Sequence, residues 1–351
     1  YSLYLFHQPV IAFLNIQNDK ISELSNISEI LIIFSIFIIS YLNWYFIENG
    51  LRKEKNFILV LCVYFIIIIT FGLLVFDIPD ENKFFNVPNK IFLLKIKQDD
   101  ILTQNGRSCD NRALRDSCSF INSEESTTIY VLGDSSLRTL GAALVNDPLF
   151  NKYNKVQVTG NDCLFIFGKH PSPNSCPNKS IEDKDNFGMN IKDSIIIYGG
   201  RLPRYFSGEG FDNGFVKEQN DITVIPNLKN EIENTLKVFE RNNNVIILIY
   251  PIPVQGWNIQ ELIFYKNYSK KSTIGYKSEV WDSRKQLSHQ FLDSLNLPNL
   301  IRIYPDEIFC NTIVSGLCVG AHDGKVYFSD DDHLNLVGSN LLVKALANNL
   351  P

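Results

Sequence analysis

An uncharged run of twenty residues, Phe57–Phe76, limits most strongly what this chain can fold into. An α-helix rises about 1.5 Å per residue, so a helix over this run can cross a hydrocarbon layer roughly 30 Å thick. Ile27–Ile47, whose only charge is Glu29, and Tyr1–Ile16 are predicted as further spans. The alternative interpretation is that these segments are buried helices of a soluble core. Because the chain begins without Met and without a signal-peptide pattern, we expect it to be the C-terminal part of a longer membrane protein.

The loops between the predicted spans differ in charge, and this difference predicts their orientation. The loop 48–55 carries three basic residues, whereas the loop 15–26 carries one. Short basic loops face the cytoplasm, so the residues beyond 76 are predicted to be extracytoplasmic. The predicted organisation is membrane helices over 1–76, a linker or extension over 77–126, and an outer domain over 127–351.

Six of the seven cysteines follow residue 76, as expected for a segment in an oxidising compartment. A zinc site is the alternative, but no CxxC spacing supports it. Neighbouring cysteines are the simplest disulfide partners, although sequence alone leaves other pairings open. The predicted pairs are Cys109 with Cys118, Cys163 with Cys176, and Cys310 with Cys318.

Short β-branched runs alternate with helical patterns in the outer part of the chain. The predicted strands are Ile129–Leu132, Val156–Thr159, Ser194–Tyr198, Val245–Tyr250 and Leu300–Tyr304. The predicted helices are Leu137–Leu144, Ile232–Arg241, Val280–Leu295 and Leu336–Leu350. This alternation predicts an α/β fold with a parallel sheet covered by helices on both faces. Functional residues of such sheets lie beyond the carboxyl ends of the strands.

Two short motifs lie at opposite ends of this outer region. Ser135 follows Gly133 and Asp134 directly after a predicted strand, and His333 follows Asp330 by three residues just before the last predicted helix. A serine on a tight turn can give its proton to a histidine that a carboxylate orients. The alternative for Asp134 and Ser135 is a helix N-cap. Their order and spacing favour a Ser-His-Asp site without a metal.

The motifs carry a resemblance to known families. The Gly-Asp-Ser block and the Asp-x-x-His block resemble the first and last blocks of the SGNH (GDSL-type) esterase and acetyltransferase superfamily. Other segments resemble the end of the acyltransferase-3 membrane domain and the form in which the two domains are fused. These segments are Tyr1–Val10, Tyr45–Arg52, Tyr250–Trp257 and Tyr327–Leu334. The resemblance covers essentially the whole chain and implies a flavodoxin-like SGNH domain.

The resemblance implies O-acylation, usually O-acetylation, of a cell-envelope polysaccharide such as lipopolysaccharide O-antigen. Ser135 would be the nucleophile, His333 the general base and Asp330 the residue that orients His333. It further implies a protein of the bacterial inner membrane with its SGNH domain in the periplasm. No cofactor would be bound, and an acyl-CoA, acetyl-CoA by resemblance, would be the donor used by the full-length protein.

The oxyanion hole of this superfamily is only partly matched by the sequence. Gly160 is the best match to the glycine of the second block, and Asn161 is a further candidate, although turn chemistry also explains a Gly-Asn pair. Where the third block supplies an asparagine, this chain has Arg201, which is predicted either to replace that donor or to bind glycan or a surface carboxylate.

The other histidines are weaker candidates for the general base. His322 with Asp323 lies in a glycine-rich turn without the family spacing, and His170 and His289 are interpreted as ordinary surface or packed residues. His7 is a candidate functional residue because ionisable groups are costly inside a membrane. Glu48 resembles a family position tied to activity, with a solvated helix end as the alternative.

Two other functions use the same residues. In the first alternative, the outer domain is an O-acetyl esterase that delivers the acyl group to water. In the second, it is a glycan-binding module without catalysis. The intact serine, histidine and aspartate argue against the binding module, and fusion to acyl-transfer helices favours a transferase. The net charge of −5 argues against a nucleic-acid partner, so the expected partners are a polysaccharide and the lipid bilayer.

Overall fold

The computed structural model describes residues 102–168, 181–212, 215–218, 227–265 and 273–350, together with seven positions between 34 and 45. Apart from those seven positions, the predicted membrane segments lie outside the described residues, so they stay predictions. In the part of the chain that is described, no helix is both long enough and apolar enough to span a bilayer. The chain divides into two compact units, 1–90 with 263–268 and 91–262 with 269–351, and the second contains residues 127–262 and 269–351 of the predicted outer domain.

A central sheet of six strands forms the middle layer of the second unit, in the spatial order β11-β9-β6-β4-β5-β3. Their bounds are β3 Cys118–Phe120, β4 Thr128–Gly133, β5 Asn154–Val158, β6 Ile195–Gly199, β9 Val245–Ile249 and β11 Leu300–Ile303. All residues of β5 and β6 are buried, as expected for strands covered on both faces. The five predicted strands are therefore confirmed, with ends that differ by at most two residues.

The sheet is mixed, so the prediction of a parallel sheet is wrong at one edge. Strands β4, β5, β6, β9 and β11 pair in parallel, whereas β3 pairs antiparallel with β5. This strand has only three residues, too few to establish a period, so it gives little sequence signal. It lies in the segment predicted as a linker, which from residue 103 onward carries folded elements.

Helices follow most of the central strands. Their bounds are α1 Arg138–Asn146, α2 Ile181–Met189, α3 Leu202–Ser207, α4 Leu228–Arg241, α5 Ile259–Tyr265, α6 Ser278–Ser294, α7 Pro305–Phe309 and α8 Leu336–Ala347. The four predicted helices are thus confirmed as α1, α4, α6 and α8. Aliphatic and aromatic side chains of the strands and of α3, α4 and α6 form one buried cluster. This core fixes the carboxyl ends of the strands, where the motif residues lie.

The described residues also form smaller sheets. The hairpins β1 Thr103–Gln104 with β2 Arg107–Ser108 and β7 Glu209–Asp212 with β8 Phe215–Glu218 are antiparallel. A further sheet contains β10 Thr273–Lys277, β12 Leu317–His322 and β13 Lys325–Val326. The predicted disulfides Cys109–Cys118 and Cys310–Cys318 are both present. Cys163 is also disulfide-bonded, and its predicted partner Cys176 lies outside the described residues.

Glycines end two neighbouring central strands because the space between the strands is too small for a side chain. Gly133 and Gly199 are register partners on β4 and β6. A Cβ added to Gly133 would lie 2.4 Å from the carbonyl oxygen of Gly199 and 2.9 Å from Cδ1 of Leu137. A residue with a side chain would therefore not fit at the end of β4, directly before Asp134 and Ser135.

Candidate active site

Ser135 is the first residue of a short 3₁₀-helix that follows β4. Asp134 caps this helix, because its Oδ1 accepts hydrogen bonds from the backbone N–H and the hydroxyl of Ser136 at 2.9 and 2.6 Å. The N-cap and the strand-to-helix turn, treated as alternatives in the sequence, therefore describe the same geometry. The cap fixes the backbone on both sides of Ser135.

The second carboxylate oxygen of Asp134 reaches across to α3. Its Oδ2 accepts hydrogen bonds from the backbone N–H of Arg201 and from the hydroxyl of Tyr205, both at 2.8 Å. Asp134 is fully buried, so its four hydrogen bonds replace water. Burial and, second, the charge of Asp134 raise the pKa of Tyr205 well above its ordinary value. Tyr205 therefore stays a neutral donor that ties the turn after β4 to α3.

His333 lies next to the serine hydroxyl. Its Nε2 is 2.9 Å from Oγ of Ser135, and its Nδ1 is 2.9 and 3.0 Å from the two carboxylate oxygens of Asp330. The structure thus brings together three residues predicted from the sequence, although Ser135 and His333 are 198 positions apart. This is the geometry in which a histidine can take a hydroxyl proton while a carboxylate fixes its tautomer.

Backbone bonds hold the loop that carries Asp330 and His333. Oδ1 of Asp330 accepts hydrogen bonds from the backbone N–H groups of Asp332 and His333 at 3.1 and 2.7 Å, so the carboxylate closes a tight turn. The carbonyl of Asp331 accepts a hydrogen bond from the backbone N–H of Gln255 at 2.6 Å. Gln255 belongs to the segment after β9 that was singled out for its resemblance, and the structure shows it anchoring this loop.

A second carboxylate contacts the same imidazole nitrogen. Oδ1 of Asp332 is 2.5 Å from Nδ1 of His333, and Oδ2 of Asp332 forms an ion pair with the guanidinium of Arg201. Arg138 on α1 is 3.3 Å from Asp330. Sequence reasoning missed the roles of Asp332 and Arg138. The only signal for Asp332 was the run of three aspartates before His333, because its contacts depend on how the loop turns.

The carboxylates determine the electrostatics of the histidine. Burial lowers the pKa of His333, but hydrogen bonds to Asp330 and Asp332 and the charges of both outweigh this effect and raise it to about 9. Burial raises the pKa of Asp332, but His333 and Arg201 outweigh that effect and hold it far below its usual range. At neutral pH, His333 is therefore mainly an imidazolium that donates from Nε2 to Ser135. As a base, it would accept a hydrogen bond there instead.

The three oxyanion candidates lie in different settings. Gly160 is buried just after β5, and its carbonyl accepts the backbone N–H of Cys163 at 3.2 Å, which closes a turn with the exposed Asn161 at its tip. The backbone N–H of Arg201 is committed to Asp134, and its Nη1 to Asp332. An oxyanion role of Arg201 would therefore have to use its other guanidinium N–H groups. These roles stay predictions.

The remaining candidate residues lie elsewhere. Nδ1 of His322 is 2.8 Å from the hydroxyl of Thr273, on the sheet of β10 and β12. His289 packs edge-on against Tyr250 with ring centroids 4.8 Å apart, and burial lowers its pKa. His7, Glu48 and His170 lie outside the described residues.

Within the described ranges, one group of side chains is close enough to hold a metal ion. Ligand atoms of Asp330, Asp332 and His333 lie within 4.8 Å of one another. Both carboxylates contact Nδ1 of the same imidazole, with shortest distances of 2.9 Å from Asp330 and 2.5 Å from Asp332, and these contacts account for this closeness.

Comparison with known proteins identifies a family and several similar solved structures. A family model described as an SGNH domain fused to AT3 domains matches residues 103–348. The chain is similar to the periplasmic domain of a lipopolysaccharide acetyltransferase from Salmonella ser. Paratyphi A, with 18% identity and a TM-score of 0.48. That match covers 78% of this chain and 98% of the other. No protein with a curated description matches the sequence.

Proposed function

Because the chain belongs to the family of SGNH domains that occur fused to AT3 domains, we propose that it transfers an acyl group through an acyl-Ser135 intermediate. The main support for this proposal is the distance of 2.9 Å between Oγ of Ser135 and Nε2 of His333. Nδ1 of the same ring is 2.9 Å from Oδ2 of Asp330. A buried serine, connected in this order to a partly buried histidine and aspartate, provides with them a nucleophile, a base and an orienting group.

In the first half-reaction, Oγ of Ser135 attacks the acyl carbonyl carbon while Nε2 of His333 takes the hydroxyl proton. The carbonyl electron pair moves onto oxygen, and donors near Ser135 and Gly160 stabilise that charge. As the pair returns, the bond to the leaving group breaks, and His333 gives the leaving group its proton. The product is an ester between the acyl group and Ser135.

In the second half-reaction, a hydroxyl of the acceptor attacks the acyl-serine ester. Nε2 of His333 removes the hydroxyl proton, and the same proton returns to Oγ of Ser135 as the ester breaks. A sugar hydroxyl gives transfer, whereas water gives hydrolysis. We propose a cell-envelope polysaccharide, such as lipopolysaccharide O-antigen, as the acceptor and acetyl as the acyl group.

The proposal includes the location and the donor. The outer domain lies in the periplasm in this proposal, and its disulfides Cys109–Cys118 and Cys310–Cys318 suit an oxidising compartment. Membrane helices within 1–76 anchor it to the inner membrane, where His7 and Glu48 take part in moving the acyl group from an acyl-CoA on the cytoplasmic side. The full-length protein, with its AT3 portion, is required for that step.

The test treats the purified chain with an activated acetyl ester, with and without candidate oligosaccharides, and follows protein and sugar by mass spectrometry. We expect an adduct on Ser135 that passes to sugar faster than to water, and none in Ser135→Ala. Ser288→Ala is the matched control, because its buried hydroxyl donates only to a carbonyl of its own helix. Release to water that sugar does not divert would indicate an esterase. A folded protein without any adduct would contradict the covalent mechanism.

A further inference from the structure

An ion pair links the nucleophile turn to the histidine by a second route. Starting at Asp134, the contacts run through the backbone of Arg201 to its guanidinium, then to Asp332, to Nδ1 of His333 and from Nε2 to Ser135. Because Asp134 and Ser135, at the two ends of this path, are consecutive in the chain, the path forms a closed ring. The side chains of Arg201 and Asp332 are only 19% and 11% exposed, so water screens their charges weakly.

We infer that Asp332 and Arg201 form a positioning pair for His333, in which Asp332 shares the Nδ1 proton with Asp330 and Arg201 offsets the charge of this second carboxylate. The inference rests on the proposed function in one respect, since it takes His333 to be the base. Within the pair, Asp332 contacts the imidazole and Arg201 contacts Asp332, whereas the contact to the serine hydroxyl comes from Nε2 of His333. It acts through His333.

The turn of the loop makes the second contact possible. Oδ1 of Asp330 accepts hydrogen bonds from the backbone N–H groups of Asp332 and His333. The backbone N–H of Gln255 donates a hydrogen bond to the carbonyl of Asp331. These bonds curl the chain so that Asp332 and His333, although adjacent, direct their polar atoms to the same place. A single N–H can donate to two acceptors at once, and both lie within hydrogen-bond distance.

The charge of this arrangement explains the need for Arg201. Two ionised carboxylates on one imidazole stabilise the imidazolium, which cannot accept a proton from Ser135. A fixed positive charge on the far side of Asp332 reduces that stabilisation. Arg201 is itself fixed, because its backbone N–H is bonded to Asp134 at 2.8 Å at the start of α3. The pair therefore sets how readily His333 gives up its proton.

Other charged groups act on the same imidazole, and they remain unchanged in the variants below. Asp331 lies in the same loop, and Arg138 on α1 pairs with Asp330 at 3.3 Å. Burial and the neighbouring Asp332 raise the pKa of Asp331. Burial lowers the pKa of Arg201, but Asp332, Asp134, Tyr205 and Asp162 outweigh this effect and raise it, so the guanidinium stays charged.

The test measures protonation of His333 directly, by ¹⁵N NMR of the full chain labelled on histidine. The chain has five histidines, and His333→Asn assigns the signal. In Asp332→Asn the unpaired Arg201 charge remains, so the pKa of His333 should fall by about 1 unit or more. In Arg201→Gln it should rise above that of the unsubstituted chain. The double variant should lie between Asp332→Asn and the unsubstituted chain.

Kinetics provide the second readout. The acylation rate should rise with pH as His333 loses its proton and should then reach a plateau. The midpoint of this rise should equal the pKa of His333 from NMR in every variant. Asp332→Asn should shift the midpoint to lower pH, while Asp330 keeps the ring in the correct tautomer at the plateau. Rescue by the conservative variant is the third readout: Arg201→Lys should return the midpoint toward that of the unsubstituted chain.

Arg204→Gln is the matched control. Arg204 lies on the same helix and pairs with Asp162 at 3.4 Å, so its loss removes an equal charge that does not pair with Asp332. We expect the NMR titration of His333 to be unchanged in this variant. If Asp332→Asn and Arg201→Gln shift the titration in the same direction, or not at all, the inference is overturned. Because NMR needs no turnover, a chain with the expected shifts but no Ser135 adduct would contradict the proposed function alone.

Discussion

Replacing Asp134 with Asn tests whether this buried carboxylate holds the site together. Each carboxylate oxygen of Asp134 accepts one hydrogen bond from a backbone N–H and one from a hydroxyl. The hydroxyl hydrogen can rotate to another acceptor, whereas the direction of the backbone N–H is fixed. An amide can be placed in two orientations, and in each its NH₂ group meets one backbone donor. The N–H of Ser136 or that of Arg201 is then left unsatisfied in the interior.

The cost follows from these bonds. A buried unsatisfied donor costs about 1–3 kcal/mol, and three bonds that lose their charged acceptor weaken by roughly 1 kcal/mol each. Relief from burying the charge offsets part of this. We expect a net loss of about 3 kcal/mol in the free energy of unfolding, which lowers Tm by roughly 6–12 °C for a domain of this size.

Thermal unfolding of the full chain, followed by tryptophan fluorescence, measures this change, because Trp281, one of three tryptophans, is fully buried. Tyr205→Phe is the comparison, because it removes only one donor to Asp134 and should cost about 1.5 kcal/mol. A Tm for Asp134→Asn within 2 °C of the unsubstituted chain would refute the reasoning. So would a larger loss in Tyr205→Phe than in Asp134→Asn.

Two further predictions concern the strand end and pH. Gly133→Ala should cost about 2 kcal/mol and lower acylation, because its Cβ would lie 2.4 Å from the carbonyl oxygen of Gly199; thermal unfolding that matches the unsubstituted chain would contradict this. The pKa of His333 is raised from 6.5 to about 9, so its stabilising contribution is complete below pH 6.5 and is lost as pH rises through 9. Tm should therefore decline between these values, with a smaller decline in His333→Gln; equal declines in the two proteins would count against the raised pKa.

The strands and helices of the outer domain were predictable because their residues carry local patterns. The apolar run that became β6 differs from its predicted bounds by one residue at each end, and α4 begins four residues before its prediction. The edge strand β3 was not predictable, because three residues cannot show a period. Its antiparallel pairing with β5 also depends on how the chain enters the sheet.

The site was predictable to the extent that it is encoded in short motifs. Ser135, Asp330 and His333 were singled out from such motifs, and the structure places them in contact. The ion pair of Arg201 and Asp332 was not predictable, because it joins positions 131 residues apart. Asp332 is also adjacent to His333, and neighbouring side chains share a target only where a turn brings them together.

The disulfide Cys109–Cys118 has a consequence beyond the edge of the sheet. Asp110, the residue after Cys109, pairs with Thr159 through a β-bridge, and its carboxylate accepts a hydrogen bond from the threonine hydroxyl at 2.7 Å. Thr159 directly precedes Gly160. Closing the disulfide reduces the freedom of the Asp110 segment in the unfolded chain. Oxidation of these two thiols therefore lowers the entropy lost when Asp110 pairs with Thr159, so it favours formation of the segment that leads into Gly160.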